Sequence, residues 1–200
     1  MENSTTEQQR RRIRPLTLDE VREIYRRFMV KDFPEDERKP LRMIEQALAE
    51  GRYLCLGLFD GEEILGYAFF AYTESGGSRD CLFDYLAIRE DMRNRGVGTQ
   101  LLSGIAASLP KANSLILEVE NPQMAKSEAE RALRQRRMDF YLRNGLRETG
   151  ITSQVYGVEY SLLEAPVPRW HTPEEVRGIC RRLYKSILPR NLYEKHVLIR

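Results

Sequence analysis

The chain has 200 residues and a mass of 23.4 kDa, the length of one domain with room for an appendage. Its 32 basic and 30 acidic residues nearly cancel to a net charge of +2, which argues against a strong whole-molecule pull toward nucleic acid or an anionic membrane. No apolar run approaches the ~20 residues that span a bilayer, and Cys55, Cys81 and Cys180 show neither a disulfide framework nor zinc-site spacing. The polar, Arg-rich start lacks an apolar signal core, so the expectation is a reduced, cytoplasmic protein that is not exported.

Residues 1–10 are polar and predicted to be a disordered tail. Ile13 among arginines and before Pro15 suits a short edge strand. Thr17 and Glu20 have the spacing of a capping box, which predicts a helix starting near Leu18 with Val21, Ile24, Tyr25 and Phe28 on its apolar side. Pro34 ends it. The charged connection Glu35-Asp36-Glu37-Arg38-Lys39 leads to Pro40 and a second helix with Leu41, Ile44, Ala47 and Leu48 inward, closed by Gly51. Two strands follow, Tyr53–Phe59 and Ile64–Tyr72, joined by the hairpin signal Asp60-Gly61. After a loop at Glu74–Ser78 comes a third strand, Cys81–Ile88. A glycine-containing loop then opens a helix carrying Leu101, Leu102, Ile105 and Leu109, stopped by Pro110. Ser114–Glu120 reads as a strand, residues 127–143 as an Arg-rich helix ended by Gly145, and residues 151–163 as one or two strands around Gly157. Pro166 and Pro168 mark a break. Thr172-Pro173-Glu174-Glu175 is a helix start, and Val176, Ile179, Leu183 and Ile187 make that last helix amphipathic. The order predicts an α/β fold, with a central mixed (α+β) sheet flanked by helices. A main domain is expected over residues 11–164, and a C-terminal helical extension over residues 165–200.

The most informative stretch is Leu86-Ala87-Ile88, then Arg93-Asn94-Arg95-Gly96-Val97-Gly98-Thr99, then the apolar helix. Two glycines allow positive φ and close approach of a ligand to the backbone. The helix behind them turns unpaired N–H groups and its positive dipole end into the loop, which suits a phosphate or pyrophosphate. Arg93 and Arg95 are placed to add charge-assisted contacts. Leu101 stands where a dinucleotide fingerprint needs its third glycine, and Thr99-Gln100 follow Gly98 where a Walker loop needs Lys-Ser/Thr.

Arg93-x-x-Gly96-x-Gly98 after Leu86-Ala87-Ile88 resembles the acetyl-CoA signature of the GNAT superfamily of N-acetyltransferases. Leu115–Val119 resembles the family's next strand, Phe140-Tyr141-Leu142-Arg143-Asn144-Gly145-Leu146 its Phe-Tyr-x-x-x-Gly-Phe segment, and Ile13–Thr17 its usual opening. The likeness covers roughly residues 11–164. It implies that the backbone of Leu86, Ala87 and Ile88 pairs with the pantetheine arm of acetyl-CoA. It also implies that Arg93, Asn94, Arg95, Gly96, Val97, Gly98 and Thr99 hold the pyrophosphate, without a metal. Departures are a longer connection at 121–130, Arg134 and Arg137 where Asn and Ala are usual, Leu146 in place of Phe, and nothing corresponding to residues 166–200.

Acetyl transfer requires an amine that has lost its proton and a proton for the departing thiolate. Positioning alone supplies ~7–11 kcal/mol of such a barrier. By resemblance, Tyr141 is the acid beside the thioester sulfur; a phenol with an ordinary pKa near ~10 is protonated at neutral pH. Glu118, between Leu117 and Val119, is the first candidate base, by resemblance to the ribosomal-protein alanine acetyltransferases. A structural carboxylate is its plain alternative. Asp84 is the second candidate, as a base, an amine-binding anion or the partner of a buried Arg, since an acid among Phe83, Tyr85 and Leu86 needs pairing. The arginines at 131, 134, 136 and 137 read as a solvated helix face or as partners for the 3′-phosphate. Glu35-Asp36-Glu37 reads as an exposed loop or an attractor for a cationic amine.

The expected function is direct transfer of acetyl from acetyl-CoA to a primary amine of a small molecule or protein. The other reading is a weakly catalytic acyl-CoA sensor whose C-terminal helix docks on a partner or on a second copy, giving a homodimer. Neither nucleic acid nor membrane is an expected partner.

Overall fold

The computed structural model describes residues 11–109 and 111–200. The tail expected at residues 1–10 and the helix stop at Pro110 lie outside the described residues. The elements are β1 (Arg11–Pro15), α1 (Leu18–Ile24), α2 (Leu41–Ala49), β2 (Tyr53–Asp60), β3 (Glu63–Ser75), β4 (Ser78–Ile88), α3 (Val97–Ser108), β5 (Ala112–Glu120), α4 (Glu128–Arg143), β6 (Arg147–Val155), β7 (Val158–Ala165), α5 (Pro173–Ile187), α6 (Arg190–His196) and β8 (Val197–Ile199). The architecture is the expected mixed sheet with helices, and no described helix is long and apolar enough to cross a membrane. Contacts divide the chain into two compact units, residues 11–71 with 84–109 and residues 72–83 with 111–200.

In the first unit β1, β2 and β3 are antiparallel neighbours, with Ile13 opposite Leu58 and Cys55 opposite Phe69. The Asp60-Gly61 hairpin forms as expected: Gly61 sits at φ +60 and Asp60 pairs with Glu63. Helix α1 opens with the predicted capping box. The Glu20 N–H donates to Thr17 Oγ1 at 3.3 Å, and the Thr17 N–H donates to Glu20 Oε2 at 2.8 Å. Past Ile24 the helix widens into a π-helical segment, Tyr25–Met29, and a last short turn, Val30–Asp32. The apolar spacing did not anticipate this segment, and π-helical turns recur at functional sites. Helix α3 buries Val97, Leu101, Leu102 and Ile105. A Cβ built on Gly104 would lie 2.3 Å from Ile13 Cδ1, so the missing side chain is what lets α3 sit this close to β1.

In the second unit Arg79–Phe83 of β4 run parallel to β5, with Cys81 opposite Leu115 and Phe83 opposite Leu117. β5 pairs antiparallel with β7, β7 with β6, and β6 with β8. Strands β3 and β4 run longer than the hydrophobic runs suggested, and the loop expected at Glu74–Ser78 shrinks to Gly76-Gly77, at φ +60 and +81. The C-terminal segment holds more than the single helix expected: α6 and β8 follow α5. β8 is three residues long, too short to stand out as a pattern. Val176, Ile179, Cys180, Leu183 and Tyr184 of α5 and Ile199 of β8 pack with Leu82, Ile116, Ile151 and Leu162 in one buried cluster. At ~1.5–3 kcal/mol for each fully buried large aliphatic side chain, residues 173–199 supply a substantial share of this unit's core.

Candidate active site

The parallel pairing of β4 with β5 covers Arg79–Phe83, and Leu86, Ala87 and Ile88 follow it along β4. Below them Arg89 ties the base of the loop. Its guanidinium donates to Asp91 at 2.6 and 2.8 Å, to Glu63 Oε1 at 2.6 Å and to the Ile64 carbonyl at 3.2 Å. These carboxylates hold Arg89 above its ordinary pKa, the Asp91 hydrogen bonds first. A 3-10 turn, Glu90–Met92, brings the chain to Arg93. Asn94 and Gly96 then take left-handed conformations, φ +59 and +74. Gly96 is the N-cap of α3 and offers no side-chain cap. The first turn of a twelve-residue helix therefore begins without a side-chain acceptor, behind an exposed loop of Arg93–Gly96. This is the arrangement that receives a pyrophosphate, and the residues present fit one.

Arg93, expected to contact phosphate, is engaged within the protein. Its Nε donates to the Ile88 carbonyl at 3.1 Å and its terminal nitrogen to Asp32 Oδ1 at 3.0 Å, while Tyr67 Oη donates to Asp32 Oδ2 at 2.8 Å. Asp32 thus ties the end of the first helical segment, β3 and the loop together. Sequence reasoning missed Asp32 and Tyr67, because nothing along the chain links positions 32, 67 and 93. Arg95 is exposed.

Asp84 sits on β4 two residues before Leu86 and is the centre of a second group in the same unit. Its partner is Lys39, not a buried Arg: Lys39 Nζ donates to Asp84 Oδ1, and Tyr53 Oη donates to Oδ2. The side chains of Lys39 and Asp84 are 31% and 12% exposed, so the pair is partly desolvated. Burial first and the Asp84 carboxylate second push the Tyr53 phenol well above its ordinary pKa. The same two causes raise Tyr85. Both rings therefore stay protonated donors. Tyr85 Oη accepts from the Lys39 N–H at 2.7 Å and donates to the Glu37 carbonyl at 3.0 Å. Phe33 meets the Tyr85 ring edge-on at 5.0 Å and Phe69 meets it at 6.3 Å. The Glu35–Glu37 segment, expected as a loop, forms a 3-10 turn.

In the second unit Glu118 is held by Ser153 Oγ at 2.6 Å and by Tyr184 Oη, both donating to Oε1. Tyr184 belongs to α5 and is driven well above its ordinary pKa by burial and then by Glu118. Tyr141 lies in the last turn of α4, half-buried, against Phe140 at 5.2 Å. Burial pushes its phenol up to about 12, against the opposing charge of Arg137. Of the Arg cluster, Arg134 is not a solvated residue. It is buried and donates to Glu120 at 2.8 Å, Glu130 at 2.6 Å and the Asn121 carbonyl at 3.0 Å, pinning α4 to the end of β5. Cys55, Cys81 and Cys180 are buried, and burial raises the Cys81 thiol to about 12.

A mixed sheet whose strand β4 runs into a glycine-bearing, uncapped helix start defines a class of acyl-CoA-dependent transferases. The chain belongs to the acetyltransferase (GNAT) family, whose profile matches residues 18–141. It is an acetyl-CoA-dependent acyltransferase. Solved structures agree on the fold. A GNAT-family protein from Bacteroides thetaiotaomicron aligns with a TM-score of 0.67 at 20% identity, over 88% of this chain and 97% of its own. The ribosomal-protein-S18-alanine N-acetyltransferase of Escherichia coli gives 0.56 at 19% identity, over 80% and 96%. A GNAT acetyltransferase of Elizabethkingia anophelis, solved with acetyl-CoA bound, gives 0.51 at 17% identity, over 78% and 97%. No curated protein sequence matches the chain.

Proposed function

We propose that the chain transfers acetyl from acetyl-CoA directly to a primary amine while both substrates are bound. The observation that carries this reading is the Arg93–Thr99 loop, with its left-handed Gly96 and an α3 start that has no side-chain cap. Acetyl-CoA supplies the activated acyl group. The backbone of Leu86, Ala87 and Ile88 holds its pantetheine arm, and the N–H groups of Gly96, Val97, Gly98 and Thr99 hold its pyrophosphate. Asn94 shapes the turn, Arg95 adds charge, and Arg93 positions the loop through Asp32.

Asp84 is the carboxylate that receives the amine. It is partly shielded, is framed by Tyr53 and Tyr85, and already binds an ammonium group. Glu118 serves as a second carboxylate, fixed by donors from Ser153 and Tyr184. Tyr141, protonated at neutral pH, gives the proton to the departing sulfur. In this reading residues 11–164 carry the transferase and residues 165–200 are an extension whose helix completes the core over Ile116.

Gly98→Val tests the loop. A branched side chain at the second helical position crowds the N–H groups offered to the pyrophosphate. We expect acetyl-CoA affinity measured by calorimetry to fall at least ~tenfold, which is ~1.4 kcal/mol. An unchanged affinity would remove the loop from the binding site.

A further inference from the structure

We propose that Lys39 is acetylated by the chain itself. The proposal rests on the acetyl-transfer reading above and adds an acceptor that belongs to the protein. Lys39 is fixed at both its backbone and its side chain. Its N–H donates to Tyr85 Oη at 2.7 Å, its carbonyl accepts from Tyr25 Oη at 3.1 Å, and its Nζ donates to Asp84 Oδ1. The Tyr85 ring lies 5.6 Å from the ammonium nitrogen. A carboxylate, a phenol donor on its second oxygen and an aromatic ring together form a site for a primary ammonium, and Lys39 occupies it.

Position and residue type point the same way. Asp84 stands two residues ahead of Leu86 on the same strand face, ~6–7 Å along the strand. The amine that Asp84 binds is therefore next to the stretch proposed to hold acetyl-CoA. Among the described residues, the other close pairs of a Lys or Arg with a carboxylate use arginine, as in Arg14–Glu20, Arg89–Asp91, Arg134–Glu120 and Arg169–Glu175. The chain carries 26 arginines and six lysines. A guanidinium keeps its charge, whereas an ammonium can lose a proton and become a nucleophile. The one lysine in this group stands where that difference matters.

The step balances with acetyl-CoA as co-reactant. Lys39 Nζ gives one proton to Asp84, which passes it to solvent. The nitrogen lone pair forms the N–C bond to the acetyl carbonyl carbon and the C–S bond breaks. The sulfur leaves as the CoA thiol with a proton from Tyr141, and the second proton from nitrogen restores the phenol. The product amide is neutral, so Asp84 loses its ammonium partner and the site is opened to an external amine.

The test is to incubate the full chain with acetyl-CoA, follow intact mass, and map acetyl groups by peptide mass spectrometry. Lys31, Lys111, Lys126, Lys185 and Lys195 are internal controls for uncatalysed acetylation. Lys39 should be labelled at least ~100-fold faster than these, the low end of what a positioned base contributes. Lys39→Arg should take no group there. Asp84→Asn should slow labelling of Lys39 and leave the other five unchanged; if that variant fails to fold, Tyr53→Phe, which keeps the carboxylate, should slow it too. Equal slow labelling of all six lysines would overturn the proposal, as would a Lys39 rate indifferent to both variants. Calorimetric titration of acetyl-CoA on the same sample separates the two readings. Tight binding without Lys39 labelling sinks the self-acetylation alone, and no binding sinks the acetyl-transfer reading beneath it.

Discussion

Tyr141 and Asp84 show how far a single position can be read. Tyr141 is a legible residue, because Phe140-Tyr141 with Gly145 four residues on sits at a helix end. Burial lifts its pKa to about 12, so the proton that transfer requires is retained at all physiological pH values. Tyr141→Phe removes only the hydroxyl. We expect kcat to fall ~10²-fold with the acetyl-CoA dissociation constant unchanged, checked by steady-state kinetics beside calorimetry. The wild-type rate should show no alkaline fall from loss of this proton until pH climbs toward 12. An unchanged kcat would take Tyr141 out of the acid role. Asp84 was legible as a carboxylate in an apolar strand that needs a partner, but the partner was not. Lys39 lies 45 residues away and Tyr53 lies 31 away, and no local pattern encodes such a pairing. The same limit hid Asp32 and Tyr67, which are linked to Arg93 only through the fold.

Helix starts are the elements that a sequence announces best. Arg14-x-x-Thr17-x-x-Glu20 and Arg169-x-x-Thr172-x-x-Glu175 are the same device used twice. In each, threonine and glutamate form the capping box. In each, an arginine three residues upstream grips the glutamate with two nitrogens, at 2.6 and 2.8 Å for Arg14 and at 2.6 and 3.2 Å for Arg169. These arginines are the leading reason that Glu20 and Glu175 are each held down to about 2. A depressed carboxylate pKa contributes stability that is fully present above the unfolded value of ~4.3 and is lost as pH falls through the folded one. The thermal midpoint should therefore fall between about pH 5 and pH 2, and less steeply in Arg14→Ala with Glu20 left unpaired. Equal acid sensitivity in both proteins, followed by circular dichroism, would show that the Arg14–Glu20 pair contributes nothing. Two elements departed from expectation. The π-helical segment at Tyr25–Met29 keeps the apolar residues of a regular helix. β8 is three residues long and owes its strand conformation to pairing with β6.

At the scale of the whole chain, strand and helix order in residues 11–164 made the mixed sheet legible, because hydrophobic runs, Gly-containing turns and caps all agreed. The C-terminal segment was legible only as an amphipathic helix. Its apolar face showed that it packs against something, and the buried cluster with Leu82, Ile116 and Leu162 shows what. The family was legible through the glycine loop, since left-handed turns and an uncapped helix start leave a mark in sequence that ion pairs across the chain do not. The central claim is that this loop binds acetyl-CoA in the folded chain. The thermal unfolding midpoint with and without acetyl-CoA tests it most directly. At ~100 times its dissociation constant a ligand that binds only the folded state adds ~2.7 kcal/mol of stability, which is a shift of several degrees. The account predicts that rise for the wild-type chain and its loss in Gly98→Val; a midpoint indifferent to acetyl-CoA in the wild-type chain would contradict it.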